Sequence, residues 1–216
     1  MTNNQSLITG FMQHIVVAIT GASGSIYGVR LVEELLKADC RVTLLVTRSG
    51  FDVLRYETGL DLSGSVAERR EQLRARFDAP ERLDHYDEDD LFAPVASGSS
   101  APDAMVVCPC SMGTAGRIAA GLANNLVERV ADVALKERRE LLLVPRETPF
   151  NRIHLENLLR LDQAGARILP AMPAFYHRPR SIDELVDFLV GKILDNLRIP
   201  HRLFPRWGEG SATAKD

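Results

Sequence analysis

The sequence predicts an α/β fold, a single three-layer Rossmann-like or flavodoxin-like domain with a parallel sheet. Three observations predict it. Short runs of apolar and β-branched residues recur along the chain, too continuous to leave one face wet, as in strands buried on both sides. Most runs end in a turn of small residues or prolines, followed by the 3.6-residue period of an amphipathic helix. Strands and helices therefore alternate, which makes the connections crossovers and the strands parallel. With 216 residues the chain can bury one large core. It divides into a core at 14–197, a charged insertion at 60–94 and a C-terminal tail at 198–216.

The first strand is Ile15-Val16-Val17-Ala18-Ile19-Thr20, the turn is Gly21-Ala22-Ser23-Gly24-Ser25, and Ile26, Val29, Leu31, Val32, Leu35 and Leu36 mark the helix face after it. Such a unit points free backbone N–H groups and a positive helix end at one place, where a phosphate is the natural guest. The turn lacks the third glycine of G-x-G-x-x-G, since Tyr27 stands there, and lacks the Gly-Lys-Ser/Thr ending of a P-loop. Alone it fits an anion site and a plain tight turn equally.

Cys40 to Thr47 is the second strand, and a short helix from Phe51 to about Thr58 is stopped by Gly59. Leu60 to Pro94 is charge-rich: 67–76 has the look of an exposed helix, 85–90 is an acidic tract, and both are expected to be solvated. The third strand is Ala104 to Pro109, with its turn at Cys110-Ser111-Met112-Gly113-Thr114 and a helix through Ile118 to about Gly121. Asn124 to Glu137 is a further helix, with Leu126, Val130, Val133 and Ala134 on one face. Glu140 to Val144 is the fourth strand, its turn runs from Pro145 to Pro149, and Pro149 suits the first position of a helix reaching Ala164. Ala166 to Leu169 is a short fifth strand; 170–179, with three prolines, cannot be regular. Ser181 and Glu184 make a capping box for a last helix through Leu197.

Composition narrows the function classes. Lys plus Arg number 26 and Asp plus Glu 29, a net charge of −3, which gives no basis for a nucleic-acid partner. Cys40, Cys108 and Cys110 do not form a disulfide framework and suit a reducing cytosol. No apolar run is long enough to span a membrane, and Met1 to Gln13 lacks the plan of a signal peptide.

In an open parallel sheet, ligands sit beyond the carboxyl ends of the strands. That edge should gather the hydroxyls of Ser23, Ser25, Thr47, Ser49, Ser111 and Thr114. Each suits a helix cap, and six together suit a phosphorylated ligand. Arg146 and Glu147 stand at a strand end, a cation for phosphate and a carboxylate for a proton. Arg129, Lys136 and Lys192 are further cations, and for the first two the pattern alone favours a solvated helix face. Tyr176 is either a donor to a departing phosphate or a buried aromatic. Cys108 and Cys110 have no partner pair at zinc spacing, so they read as buried structural thiols and no metal site is predicted. The residues alone yield a phosphate-binding edge and leave the reaction open.

Taken together, several blocks resemble the UbiX-type flavin prenyltransferases, in the superfamily of homo-oligomeric flavin-containing Cys decarboxylases. They are Thr20 to Gly24 with Tyr27-Gly28, Ser97-Gly98-Ser99, Cys108 to Thr114, Ala131 to Arg139, Pro145 to Pro149, Pro173 to Pro179 and Pro205-Arg206-Trp207. The resemblance implies transfer of the dimethylallyl group of dimethylallyl phosphate to N5 and C6 of reduced FMN. It also implies delivery of the prenylated FMN to a UbiD-type decarboxylase, for example in ubiquinone synthesis, and a homo-oligomer, a dodecamer. Carried over by position, Ala22, Ser23, Gly24, Thr47, Ser111, Met112, Gly113, Thr114 and Arg146 would bind FMN. Tyr176 and Lys192 would hold the dimethylallyl phosphate, with Arg129, Lys136 and Glu147 completing the phosphate site, partly from neighbouring subunits. Glu57 and Trp207 fall near the same pocket, and the catalytic set becomes Ser23, Glu57, Lys136, Glu147 and Tyr176. Many members have lysine where this chain has Gly113, and serine where it has Thr47. Two rivals remain: an FMN-dependent cysteine decarboxylase of the same superfamily, which would want a histidine absent from 51–60, and a non-catalytic flavin carrier, for which the cations and Tyr176 would be dispensable.

Overall fold

The computed structural model describes residues 12–205, so Trp207 and nearly all of the N-terminal stretch lie outside the described residues. The elements in chain order are β1 (His14–Ile19), α1 (Ser25–Lys37), β2 (Arg41–Val46), α2 (Arg48–Thr58), α3 (Val66–Phe77), β3 (Leu83–Tyr86), β4 (Ala104–Cys110), α4 (Met112–Ala119), α5 (Leu126–Lys136), β5 (Glu140–Pro145), α6 (Arg152–Gln163), β6 (Arg167–Ile168) and α7 (Ile182–Leu197). Two single 3-10 turns, Pro94–Ala96 and Gly98–Ser100, precede β4.

All pairings are parallel, and the six strands lie in the order β3-β2-β1-β4-β5-β6. This is the Rossmann order; a flavodoxin sheet would begin with its second strand. Alternation along β1 divides the core. Ile15, Val17 and Ile19 pack with Leu31 and Leu35 of α1 and Val190 and Ile193 of α7. Val16 and Ala18 face the other way, toward Val130 and Ala134 of α5 and Leu161 of α6. Each such leucine or isoleucine removed from water contributes about 1.5–3 kcal/mol.

The segment 60–94 differs from the solvated insertion expected of it. It holds a crossover helix and the edge strand that completes the Rossmann half. Ser65 and Glu68 form a capping box at the start of α3 (Ser65 N to Glu68 Oε2, 2.7 Å), and Leu73 alone of that helix is buried. Leu83 to Tyr86 then pair with β2, and Leu83 and His85 turn inward.

Other differences are local. Thr47 takes Gly50 N at 3.1 Å, so α2 begins at Arg48 rather than at Phe51. Asn151 caps α6, so Pro149 lies in the preceding turn and not at the first helical position. The expected fifth strand, β6, keeps two residues. At α7 only half a capping box forms: Ser181 accepts from Glu184 N at 3.2 Å, while the Glu184 carboxylate takes Arg180 N at 2.6 Å. Residues 170–179 have no helix or strand, as their prolines require.

Candidate active site

The carboxyl edge is drawn together by a few bonds between loops. Thr20, fully buried at the end of β1, donates Oγ1 to Pro109 O and accepts Ser111 N, both at 2.8 Å. The loops after β1 and β4 are thus one unit. A Cβ at Gly21 would overlap the Ser49 side chain, so glycine lets the loop after β2 close against the first. Arg146 Nε donates to Ser23 O at 2.9 Å and brings in the loop after β5. Ala171 N donates to Pro145 O at 3.0 Å, so the proline-rich loop starts from the same edge. Ala22, Ser23, Gly24, Thr47, Ser111 to Thr114 and Arg146 therefore share one rim.

The hydroxyls on that rim already act locally. Thr47 caps α2, and Ser111 caps α4 through Thr114 N at 3.2 Å. Ser111 Oγ also donates its proton to Thr114 Oγ1 at 3.0 Å, which leaves the Thr114 hydroxyl proton for a further partner. A Cβ at Gly113 would stand 3.4 Å from Arg117 Nη1, so a guanidinium lies beside the position where many resembling proteins carry lysine. Arg117 is held by Thr114 Oγ1 at 3.2 Å and by Glu128, a carboxylate that is 1% exposed.

The anion position expected at α1 is filled from within the chain. Gly24 N and Ser25 N donate to Glu57 Oε2 at 2.8 and 2.9 Å. Burial pushes the Glu57 carboxyl up, but the Ser23 side chain, the two amides and the Arg146 charge outweigh it and hold the group below the usual glutamate value. A negative charge at the head of α1 is thus Glu57's own. Glu147 is exposed one residue beyond Arg146, with Thr148 N on its Oε1 at 3.0 Å.

The remaining cations are elsewhere. Arg129 and Lys136 lie on α5, which packs against the face of the sheet opposite α1 and α7. Arg129 Nε donates to Ala96 O at 3.0 Å and its Nη1 pairs with Asp132 at 3.1 Å. Lys136 pairs with Glu137 and lies against Gly98. It is the last residue of a helix that returns toward the start of β5, so it stands at the amino edge of the sheet, away from the rim. Ser97 and Ser99, with their hydroxyls 2.9 Å apart, stand in the same turn; they escaped the residue-by-residue reading, and the Ser97-Gly98-Ser99 block was their signal. Tyr176 and Lys192 lie across the sheet, before and on α7. Tyr176 is 50% exposed and packs edge-on against Phe188, which answers the alternative of a buried aromatic. A single chain does not bring these two groups together. Cys108 and Cys110 are fully buried; desolvation pushes the Cys110 thiol up to about 12 and Cys108 further, so neither is a nucleophile at neutral pH.

A model of the flavoprotein family matches residues 9–194. The UbiX flavin prenyltransferase of Alkalihalophilus pseudofirmus is 50% identical over 196 residues, which span 90% of this chain and 96% of that protein. The chain belongs to the UbiX flavin prenyltransferase family. The crystal structure of AnUbiX in complex with FMN and dimethylallyl pyrophosphate superimposes with a TM-score of 0.82 at 38% identity, covering 91% of this chain and 98% of that one. A dodecameric FMN-dependent UbiX-like decarboxylase from Escherichia coli O157:H7 gives 0.80 at 36% identity, covering 90% and 99%. Membership in the UbiX family agrees with the Rossmann order and with the rim described above. No helix among the described residues is long and apolar enough to cross a membrane.

Proposed function

We propose that this protein is a flavin prenyltransferase that joins the dimethylallyl group of dimethylallyl phosphate to reduced FMN and releases inorganic phosphate. The observation that carries the reading is the rim itself: hydroxyls, backbone amides and the Arg146 guanidinium from four loops, in a chain 50% identical to a UbiX enzyme over nearly its whole length. That donor set suits a flavin mononucleotide, whose phosphate and ring edge both want hydrogen-bond donors. FMN in its reduced form supplies the nucleophile.

The chain's residues do the rest. Ala22, Ser23, Gly24, Thr47, Ser111, Met112, Gly113, Thr114 and Arg146 hold the flavin. Tyr176 and Lys192, with Arg129 and Lys136 from a neighbouring subunit, stabilise charge on the departing phosphate. Fixing both substrates in one pocket supplies much of the rate through proximity. Glu147, or the phosphate itself, removes the proton at the ring carbon, and Ser23 and Glu57 form the wall nearest Arg146. Trp207 closes the pocket in this reading.

A homo-oligomer is part of the proposal. The division of the cations between two faces supports it, and so do exposed apolar side chains such as Phe92, Leu155 and Leu159. A dodecamer, a UbiD-type decarboxylase as recipient, and a cytoplasmic setting in keeping with three buried free thiols complete the reading. Anaerobic incubation with reduced FMN and dimethylallyl phosphate tests it: inorganic phosphate should appear in step with the loss of free reduced flavin. Phosphate release without flavin, or none with FMN bound, contradicts the proposal.

A further inference from the structure

Residues 170–179 have no regular structure, so no ladder of backbone bonds fixes Tyr176. A turn bond, Arg178 N to Phe175 O at 2.9 Å, spans it, and aromatic neighbours pack its ring. Tyr176 meets Phe188 edge-on, centroids 5.7 Å apart, and meets His177 the same way at 5.7 Å. The His177 ring lies flat on Phe188 at 5.1 Å with planes 8° apart. Phe188 packs on Phe204 at 5.0 Å, and Phe204 on His201 at 5.2 Å. A row of rings thus links Tyr176 to the segment after α7.

His201 fixes that other end. Leu203 N donates to its Nδ1 at 3.3 Å, which leaves the ring proton on Nε2, and Nε2 donates to Asp195 Oδ1 at 3.2 Å. The imidazole is 2% exposed. Phe188, Gly191, Lys192 and Asp195 recur at helical spacing and share one face of α7. A Cβ at Gly191 would overlap both Phe204 and His201, so glycine is the notch through which residues 201–204 cross the helix. One helix face carries the ring platform, the notch and the latching carboxylate, with Lys192 among them.

We propose that His201, latched to Asp195, is a positioning residue of the active site, setting the Tyr176 hydroxyl relative to Lys192 through Phe204 and Phe188 for the phosphate of the prenyl donor. This rests on the reading that Tyr176 and Lys192 hold that phosphate. A row of rigid rings transmits position well, because a ring cannot shift without opening a gap in its neighbour's packing. The clasp does not touch the rim that holds the flavin, so flavin binding is independent of it.

The test is steady-state prenyl transfer to reduced FMN with varied dimethylallyl phosphate. His201→Ala and Phe204→Leu should raise KM for dimethylallyl phosphate about tenfold while the FMN Kd stays within about twofold. Asp195→Asn, which keeps the side-chain shape and guards against a misfolded His201 variant, should raise it less. Phe204→Tyr, which keeps the ring, should restore wild-type values. In the double variant Tyr176→Phe with His201→Ala, the effects should not add, since both act through one hydroxyl. Full additivity, an unchanged KM, or a parallel loss of FMN affinity and melting temperature across the set would mark a merely structural contact and overturn the proposal. If Tyr176→Phe alone leaves KM unchanged, the placement of the phosphate at Tyr176 fails and the clasp with it. If Tyr176→Phe raises KM and the clasp variants do not, only the clasp fails.

Discussion

His85 is fully buried in β3, with Nδ1 bonded to Leu44 O at 2.9 Å and, among the described residues, no hydrogen-bond partner on Nε2. The carbonyl accepts, so Nδ1 carries the proton and Nε2 a lone pair. Desolvation lowers its pKa below the usual histidine value, against the Leu44 bond and with the help of the Arg69 charge. The unfolded chain therefore binds a proton that the folded chain refuses, and stability falls as pH drops below about 6.5, the ordinary histidine value. His14, lowered by burial and by Arg41, adds a term of the same sign. Thermal melts between pH 7.5 and 5 should show the wild type losing stability faster than His85→Gln; parallel curves would mean that His85 is protonated in the fold. None of this was visible in the sequence, where His85 opens an acidic tract. Its burial is a fact of strand direction, which a run of charged neighbours conceals. Glu57 was likewise beyond composition or spacing: nothing along the chain puts it 33 residues on from Gly24 and within 2.8 Å of that amide.

The central strands were legible and the edges were not. β1, β2, β4 and β5 are buried on both faces, so their apolar runs are nearly unbroken. β3 alternates, Leu83 and His85 in, Asp84 and Tyr86 partly out, and four residues give too little pattern to declare a strand. Its polar face is held from α3, where Arg74 donates Nε to Leu83 O at 2.9 Å and Nη2 to Asp84 at 3.0 Å. The charges that suggested a solvated insertion are the ones that pin the edge strand down. Leu83, with 0% exposure, is the apolar anchor of this element, and Leu83→Ala should cost about 2–5 kcal/mol in denaturant unfolding. A cost below about 1 kcal/mol would mean that β3 is the marginal attachment the charge pattern suggested.

Across the whole molecule, the sheet separates Tyr176 and Lys192, on the side of α7, from Arg129 and Lys136 on α5. A site built from all of them needs two chains, and that arrangement can be measured. Lys136→Ala and Lys192→Ala oligomers should each transfer the prenyl group slowly, and mixed oligomers reassembled from the two should regain activity, because some sites then hold both lysines. No recovery on mixing would place the lysines in separate roles. The sequence made the rim legible through its turns and the chemistry through its family blocks, but the two-sided arrangement follows from helix direction, which no motif records. The most direct measurement of the central claim is the mass of the flavin after anaerobic incubation of the protein with reduced FMN and dimethylallyl phosphate. The flavin should gain one dimethylallyl group in place of a hydrogen; flavin of unchanged mass, recovered from protein that had bound it, would contradict prenyl transfer.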